Sequence, residues 1–379
     1  MADVLTAAGV AVPGADGGPA TVHEPGWVAI EAGRVVETGA GRAPDALDLG
    51  DVVLAPAFVD LQVNGVDDVD FASADADEWQ RTGRRLLDHG VTSYCPTIVS
   101  APLDAYGPVL ERVAAARADA ATNQLPEIVG AHLEGPFLGG APGAHPRELL
   151  RDASAEWLAA QLDRRPGVVR IVTLAPEADP GYRSTRLLAE RGVVVAVGHS
   201  TADYEEVVAA ADAGARLVTH LFNGMGPMHH RAPGVAGAAL DDDRLTPTVI
   251  ADLVHVHPVM VRLAFTCKRD VVLVSDAVST AGLDVSGGAA HLKDGTLAGA
   301  VVLLDTAVRN VVRVGVPLAR AIEAASSIPG RVLGLETFGA RGAGGRADLV
   351  ALDATTLAPR GVWLDGVQHC GPAMPSATG

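Results

Sequence analysis

Four apolar runs of this chain end in side chains that hold metals or move protons. "GAHLEG" closes on Glu134, "VVVAVGHS" carries His199, "RLVTHLFN" carries His220 and "DVVLVSDAV" carries Asp276. A carboxylate at the end of a buried strand must be paired, hydrogen-bonded or bound to a metal. A single His in an apolar strand is usually a satisfied core residue, but four runs ending this way reverse those odds. Two imidazoles and one carboxylate suit a first-row divalent ion with positions left for water and substrate, so Glu134, His199 and His220 are the expected ligands. Iron oxygenases use the same set. Asp276 argues for the other chemistry, because a carboxylate beside a metal-bound water is a general base for hydrolysis. Gln62 and Asn64, Asn223, and His255 also follow apolar runs and join the candidate polar cluster. Nitrogen and oxygen ligands suit several metals; one divalent ion per subunit is expected, zinc first, with iron, manganese or cobalt as alternatives.

Such a cluster needs many strand ends on one rim. Eight short runs rich in Val, Ile, Leu and Ala end near Asn64, Ser100, Glu134, Pro176, His199, Asn223, His255 and Asp276. Near-continuous apolar runs are what a parallel sheet buried on both faces requires. Helical patterns lie between most of them. "EWQRTGRRLLDHG" stops at Gly90, and "TADYEEVVAAADAG" has Ser200 or Thr201 as a candidate cap and Gly214 at its end. Eight alternations predict an α/β chain with a (β/α)8 TIM-type barrel over residues 56–335, whose chemistry sits on the C-terminal ends of its strands. The flanks read as strands: "GWVAIEAGRVVETG" is a hairpin pattern, and "DLVALD" and "GVWLDGVQH" follow near the other end. A small β-sandwich-like module built from residues 1–55 and 336–370 is predicted, with a disordered tail over 371–379.

Composition narrows the partners. Aromatics are only 4% of the 379 residues, too few for base-stacking platforms, and a net charge of −17 repels nucleic acid and anionic membranes. Cys95, Cys267 and Cys370 form an odd, widely spaced set that suits a reduced, cytoplasmic setting. The start lacks a basic n-region, and no apolar run reaches the roughly 18 residues of a membrane span.

"HLEGPF", "GAH" at Gly143 to His145, "VGHSTA", "THLFNGM" and "VSDAVSTAG", in this order and spacing, resemble the N-acetylglucosamine-6-phosphate deacetylases of the amidohydrolase superfamily. The resemblance runs from "PAFVDLQVNG" at Pro56 to "GGRADLVALD" at Asp353, although the last motif marks only the superfamily. It implies hydrolysis of the acetamide of N-acetyl-D-glucosamine 6-phosphate to D-glucosamine 6-phosphate and acetate. Glu134, His199 and His220 would hold the metal, and Asp276 would take a proton from the water and return it to the departing amine. His145 would be a second contact to the acetamide oxygen. "NGMGPMHHRAPG" would meet the phosphate through Asn223 and Gly224 with Arg231 or His230. In the family the corresponding Arg can come from a neighbouring subunit, which implies a homodimer. His255 matches a substrate-binding position, while His132, His229 and His257 read as structural or as supports behind the residues that touch metal and substrate.

Two departures matter. Superfamily members with paired metals open with HxH and use a carboxylated Lys; here Gln62 and Asn64 occupy the first-strand positions and the only lysines are Lys268 and Lys293. One metal, not two, is therefore expected. Ala300 stands where many relatives have Ser, which bears on glucosamine against galactosamine. The rivals are a deacylase of another N-acyl substrate, such as N-acetylgalactosamine 6-phosphate or an unphosphorylated compound, and a pseudoenzyme, which retention of all four central residues opposes.

Overall fold

Runs that are apolar on both faces are satisfied only between two other layers, and the chain achieves this with a ring of parallel strands. In the computed structural model, which describes residues 2–370, the ring comprises β1 (Phe58–Val63), β2 (Val91–Ile98), β3 (Ala131–Glu134), β4 (Val169–Leu174), β5 (Val194–Val197), β6 (Ala215–Val218), β7 (Thr246–Ile250) and β8 (Val272–Val274). Each pairs in parallel with the next. β8 returns to β1 through the Val63–Ala277 bridge. Asp276 N–H donates to the Gln62 carbonyl at 2.9 Å, and Asn64 N–H to the Ala277 carbonyl at 2.7 Å. The result is a nearly closed TIM-type barrel with helices around it, as the alternation predicted. The predicted tail over 371–379 lies outside the described residues.

Alternate residues of each strand serve the two faces. Ile171, Ala196, Leu217, Ile250 and Val272 fill the barrel interior over a base closed by Ile328 and Leu333. Leu133, Val172, Val195, Val218, Val249 and Leu273 belong to the outer layer, packed with helix residues such as Leu188, Val207 and Ala264. Each fully buried Val, Leu or Ile among them is worth about 1.5–3 kcal/mol. Above the apolar interior the inward positions turn polar, with His132 bonded to Thr173 and Thr173 to Thr219 at 2.7 Å each. That layer is the floor of the site.

The first apolar run does not form one strand. Val52–Pro56 belongs to a six-stranded sheet with Gly9–Val12, Thr21–His23, Leu349–Asp353, Pro359–Leu364 and Val367–Cys370, and only from Phe58 does the chain enter the barrel. The break falls at Ala57, whose N–H donates to the Asp348 carbonyl while that of Phe58 turns to Gly90. Val52–Pro56 pairs antiparallel with Leu349–Asp353, so strands from both ends of the chain share a sheet. The predicted hairpin pairs Gly26–Glu31 with Arg34–Ala40. Its turn residues Ala32 and Gly33 both have positive φ, as a two-residue hairpin turn of matching twist requires.

Helix Tyr204–Ala213 ends at Gly214 as read, but neither Ser200 nor Thr201 caps it. Asp203 does, in a capping box with Glu206. Ser200 and Thr201 instead donate to Glu177, because the chain is still turning out of the barrel at that point. A three-stranded meander (Asp284–Ser286, Ala289–His291, Leu297–Ala300) rises between β8 and the next helix. No helix among the described residues is long and apolar enough to cross a membrane.

Candidate active site

The strand ends deliver their side chains through strained backbone. His199, His220 and Asp276 have φ of 51°, 31° and 47°, a left-handed region that costs a non-glycine residue about 1–2 kcal/mol. The turn bends each chain off its strand and aims the side chain across the barrel mouth. Glu134 reaches the same point directly, as the last residue of β3, and the glycine that follows it has a steric reason. Gly135 sits at φ +90°, and a Cβ there would lie 2.3 Å from Ser100 Oγ.

Glu134 Oε1 lies 3.1 Å from Nε2 of His199 and 3.1 Å from Nε2 of His220, and those nitrogens are 3.0 Å apart. The far side of each ring faces a backbone carbonyl: His199 Nδ1 is 3.2 Å from Ala141 O, and His220 Nδ1 is 3.1 Å from Asn223 O. A carbonyl only accepts, so both protons sit on Nδ1 and both Nε2 lone pairs face the carboxylate. Three lone pairs meeting at 3.0–3.1 Å require a positive charge between them. The spacing fits one ion bound at the roughly 2.0–2.2 Å typical of nitrogen and carboxylate ligands, and the carbonyl contacts are the usual support for such imidazoles. The same demand shows in the electrostatics, where added protons on the imidazoles stand in for that charge. Burial pushes the Glu134 carboxyl up, but the two imidazoles outweigh it and hold it well below its ordinary value. Burial lowers His220, yet Glu134 holds it above the ordinary imidazole value.

His145 also places a nitrogen within 4.8 Å of the Glu134 and His199 donor atoms. Its Nε2 is 3.9 Å from Glu134 Oε2, however, and His220 is closer. Its Nδ1 accepts from Ser100 N–H at 3.3 Å and lies 2.9 Å from Ser100 Oγ. The backbone donor puts the proton of His145 on Nε2. Burial first, then the neighbouring His199, lowers its pKa to about 3, so this ring is a neutral donor.

Asp276 Oδ1 accepts from Gln62 Nε2 at 3.0 Å and from Asn64 Nδ2 at 2.9 Å. Gln62 Nε2 also donates to Glu134 Oε1 at 2.9 Å, tying the candidate base to the candidate ligand. Burial, then the charge of Glu134, raises the Asp276 pKa to about 7, which suits a group that must both take and give a proton. His255 stands five residues beyond β7 and is held by Asp252, with Nδ1 to Oδ2 at 2.6 Å.

These residues share a cavity of about 910 Å³ with Asn64, Asn223, Gly224 and the meander. Asn223 turns its side-chain amide toward the carbonyls of His220 and Leu221, at 3.4 and 3.5 Å, so in this conformation that amide is occupied. Ala300 is not in the lining. It is fully buried within the barrel interior, and its backbone brackets Asp276, donating to the Asp276 carbonyl at 3.0 Å. No Lys or Arg among the described residues lines the cavity. Arg231 and His230, read as phosphate contacts, are exposed beside each other, Nη1 to Nε2 2.8 Å, and Arg231 faces a separate depression with Thr201, Asp203 and Tyr204. Within one chain the tertiary structure does not bring them to the site. Ser100 and Asp252 were not singled out in the sequence. Nothing local marks Ser100, whereas the Asp-x-x-His spacing of Asp252 and His255 was a readable signal.

A family model described as "Amidohydrolase family" matches residues 53–368. The N-acetylglucosamine-6-phosphate deacetylase of Bos taurus is 38% identical over 352 residues, covering 86% of this chain and 85% of that protein. The N-acetylgalactosamine-6-phosphate deacetylase of Escherichia coli O157:H7 is 36% identical over 330 residues, covering 83% and 87%. The crystal structure of N-acetyl-D-glucosamine-6-phosphate deacetylase from Mycobacterium smegmatis aligns with a TM-score of 0.86 at 34% identity, covering 97% of this chain and 99% of that one.

Proposed function

The chain belongs to the amidohydrolase family, and on that premise we propose that it hydrolyses the acetamide of N-acetyl-D-glucosamine 6-phosphate to D-glucosamine 6-phosphate and acetate. One observation carries the reading: the lone pairs of Glu134, His199 and His220 converge at 3.0–3.1 Å beside Asp276. Glu134, His199 and His220 would hold one divalent ion, zinc first, with iron, manganese or cobalt as alternatives. When bound, the ion supplies Lewis-acid polarisation of the amide carbonyl and acidifies the attacking water.

The side chains do the rest. His145 donates from Nε2 to the acyl oxygen. Asp276 takes the water's proton on Oδ2, the oxygen that Gln62 and Asn64 leave free, and passes it to the amine nitrogen as the C–N bond breaks. Gln62 keeps the carboxylate in place through both transfers.

A phosphorylated sugar needs positive charge, and among the described residues no Lys or Arg of the same chain supplies it in this cavity. Arg231, with His230 beside it, stands on an exposed loop with Met228, where a second copy could meet it. We therefore read the enzyme as a homodimer, with Asn223 and Gly224 meeting the phosphate from the near side. A cytoplasmic location accords with the free thiols of Cys95 and Cys267.

The test is acetate release by metal-loaded protein from N-acetylglucosamine 6-phosphate, with N-acetylgalactosamine 6-phosphate and the unphosphorylated sugar alongside. Release that needs the phosphate and falls in Arg231→Ala supports the reading. Equal or faster release from the unphosphorylated sugar overturns the substrate assignment, and preference for the galactose epimer selects the other phosphate ester.

A further inference from the structure

The two imidazoles that line the cavity without joining the ligand triad have opposite polarity. His145 receives a backbone N–H on Nδ1, so its Nε2 donates. His255 meets a carboxylate on the same atom. Asp252 Oδ1 accepts the N–H groups of Val254 and His255 at 2.9 Å each, and Oδ2 takes Nδ1 of His255 at 2.6 Å. The pair is buried, with side chains 1% and 5% exposed. Hydrogen bonds from His255 hold the Asp252 carboxyl below its ordinary value although burial alone would raise it, so the carboxylate can only accept. In the neutral ring the His255 proton is therefore on Nδ1, leaving Nε2 for the cavity that the residue lines.

The turn that makes this contact is strained. Leu253 sits at φ +67°, a conformation that costs a leucine about 1–2 kcal/mol. The two backbone bonds to Oδ1 suffice to hold such a turn. The bond from Oδ2 to the imidazole is a separate interaction, and it sets which ring nitrogen carries the proton.

We propose that Asp252 is a positioning residue for the hydrolysis: it fixes His255 with Nδ1 protonated, so that Nε2 accepts a hydrogen bond from a ring hydroxyl of the substrate. This rests on the amino-sugar reading above. The cavity then offers one imidazole donor for the acyl oxygen and one imidazole acceptor for a hydroxyl, and their loops decide the difference.

Asp252→Asn separates the two jobs of the side chain. The asparagine carbonyl can keep both backbone N–H groups, while its NH2 meets Nδ1 as a donor and drives the proton to Nε2, a change that keeps geometry and selects the wrong tautomer. The tautomer is read from ¹⁵N shifts of the zinc-loaded, ligand-free protein at mildly alkaline pH. Expected are protonated Nδ1 in wild type, protonated Nε2 in the variant and unchanged zinc content. Expected too is a fall of about 10–100-fold in kcat/KM for N-acetylglucosamine 6-phosphate, carried mainly by KM. Wild-type His255 protonated on Nε2 alone would overturn the proposal, and that spectrum decides even if the variant does not fold. A folded variant with a switched tautomer and unchanged kcat/KM would overturn it as well. Wild type that is inert toward the sugar phosphate, yet shows protonated Nδ1, would sink the amino-sugar reading while supporting the Asp252 assignment.

Discussion

Replacing Gly224 with alanine tests whether the Glu134, His199 and His220 cluster is a metal site. Gly224 has φ +55°, and a Cβ there would lie 2.7 Å from His199 Nδ1, 3.0 Å from His199 Cε1 and 3.2 Å from His220 Cε1. Carbon contacts are comfortable near 3.5 Å, so the His199 ring would have to retreat by roughly 0.8 Å. It has little room to do so, because Ala141 O holds its Nδ1 at 3.2 Å and Glu134 faces its Nε2 at 3.1 Å. Left-handed backbone adds about 1–2 kcal/mol for alanine. Losing the support of a ligand imidazole typically lowers metal affinity by about 10–100-fold, or about 1.4–2.8 kcal/mol. Zinc affinity from chelator competition, thermal midpoint and acetate release together measure the effect. Gly226→Ala is the control in the same loop, since no heavy atom lies within 4 Å of its Cβ position. Wild-type zinc affinity in Gly224→Ala, or equal impairment in Gly226→Ala, would refute the reasoning.

Asp276→Asn keeps an acceptor for Gln62 and Asn64 but removes the base, so kcat should fall by about 10²–10⁴-fold with zinc retained; more than a tenth of wild-type rate would count against it. Asp276 must be ionised to accept a proton, so activity is lost as pH falls through its pKa. That value is about 7 from burial and Glu134, and a nearby divalent cation brings it down, so the acid limb of kcat/KM in the zinc enzyme should lie below pH 7. Asp60 is buried, which pushes its pKa up to about 6 against the bonds from Ser275 and Gln62. A folded value above the unfolded one gives stability that is present below the unfolded pKa and lost as pH rises through about 6, up to about 3 kcal/mol. Asp60→Asn should therefore compare better with wild type at about pH 8 than at about pH 5, and an identical difference in thermal midpoint at both would refute this. Asp203→Ala removes the capping box of helix Tyr204–Ala213 and should destabilise by about 1 kcal/mol without changing zinc content; an unchanged denaturation midpoint would show that the cap contributes nothing.

The barrel was legible because burial on two faces leaves a local trace: each of the eight apolar runs overlaps a barrel strand. The hairpin at Ala32 and Gly33 was legible for the same kind of reason, since alternation and a glycine turn are short-range features. The meander over residues 284–300 was not, because its first strand is wholly exposed and carries no burial pattern to read. The split at Ala57 was hidden too. Val52–Pro56 and Phe58–Val63 are both fully buried, and a run buried twice reads as one.

For the site, the sequence by itself determined which chemistry was available: acceptor and ligand side chains at the ends of apolar runs, too few aromatics for stacking, and an acidic surface hostile to phosphate. The tertiary structure alone decided how those groups point. His220 and His255 come from loops beyond β6 and β7. Arg231 falls outside its own cavity. The protons of His145, His199 and His255 are assigned by Ser100, the Ala141 carbonyl and Asp252, two of which lie 45 and 58 residues away from the ring they orient. Hydrophobic periodicity records burial, which each residue carries in its own side chain. The direction of a lone pair depends on a partner set by chain topology, and a partner distant in sequence leaves no mark at the position it controls.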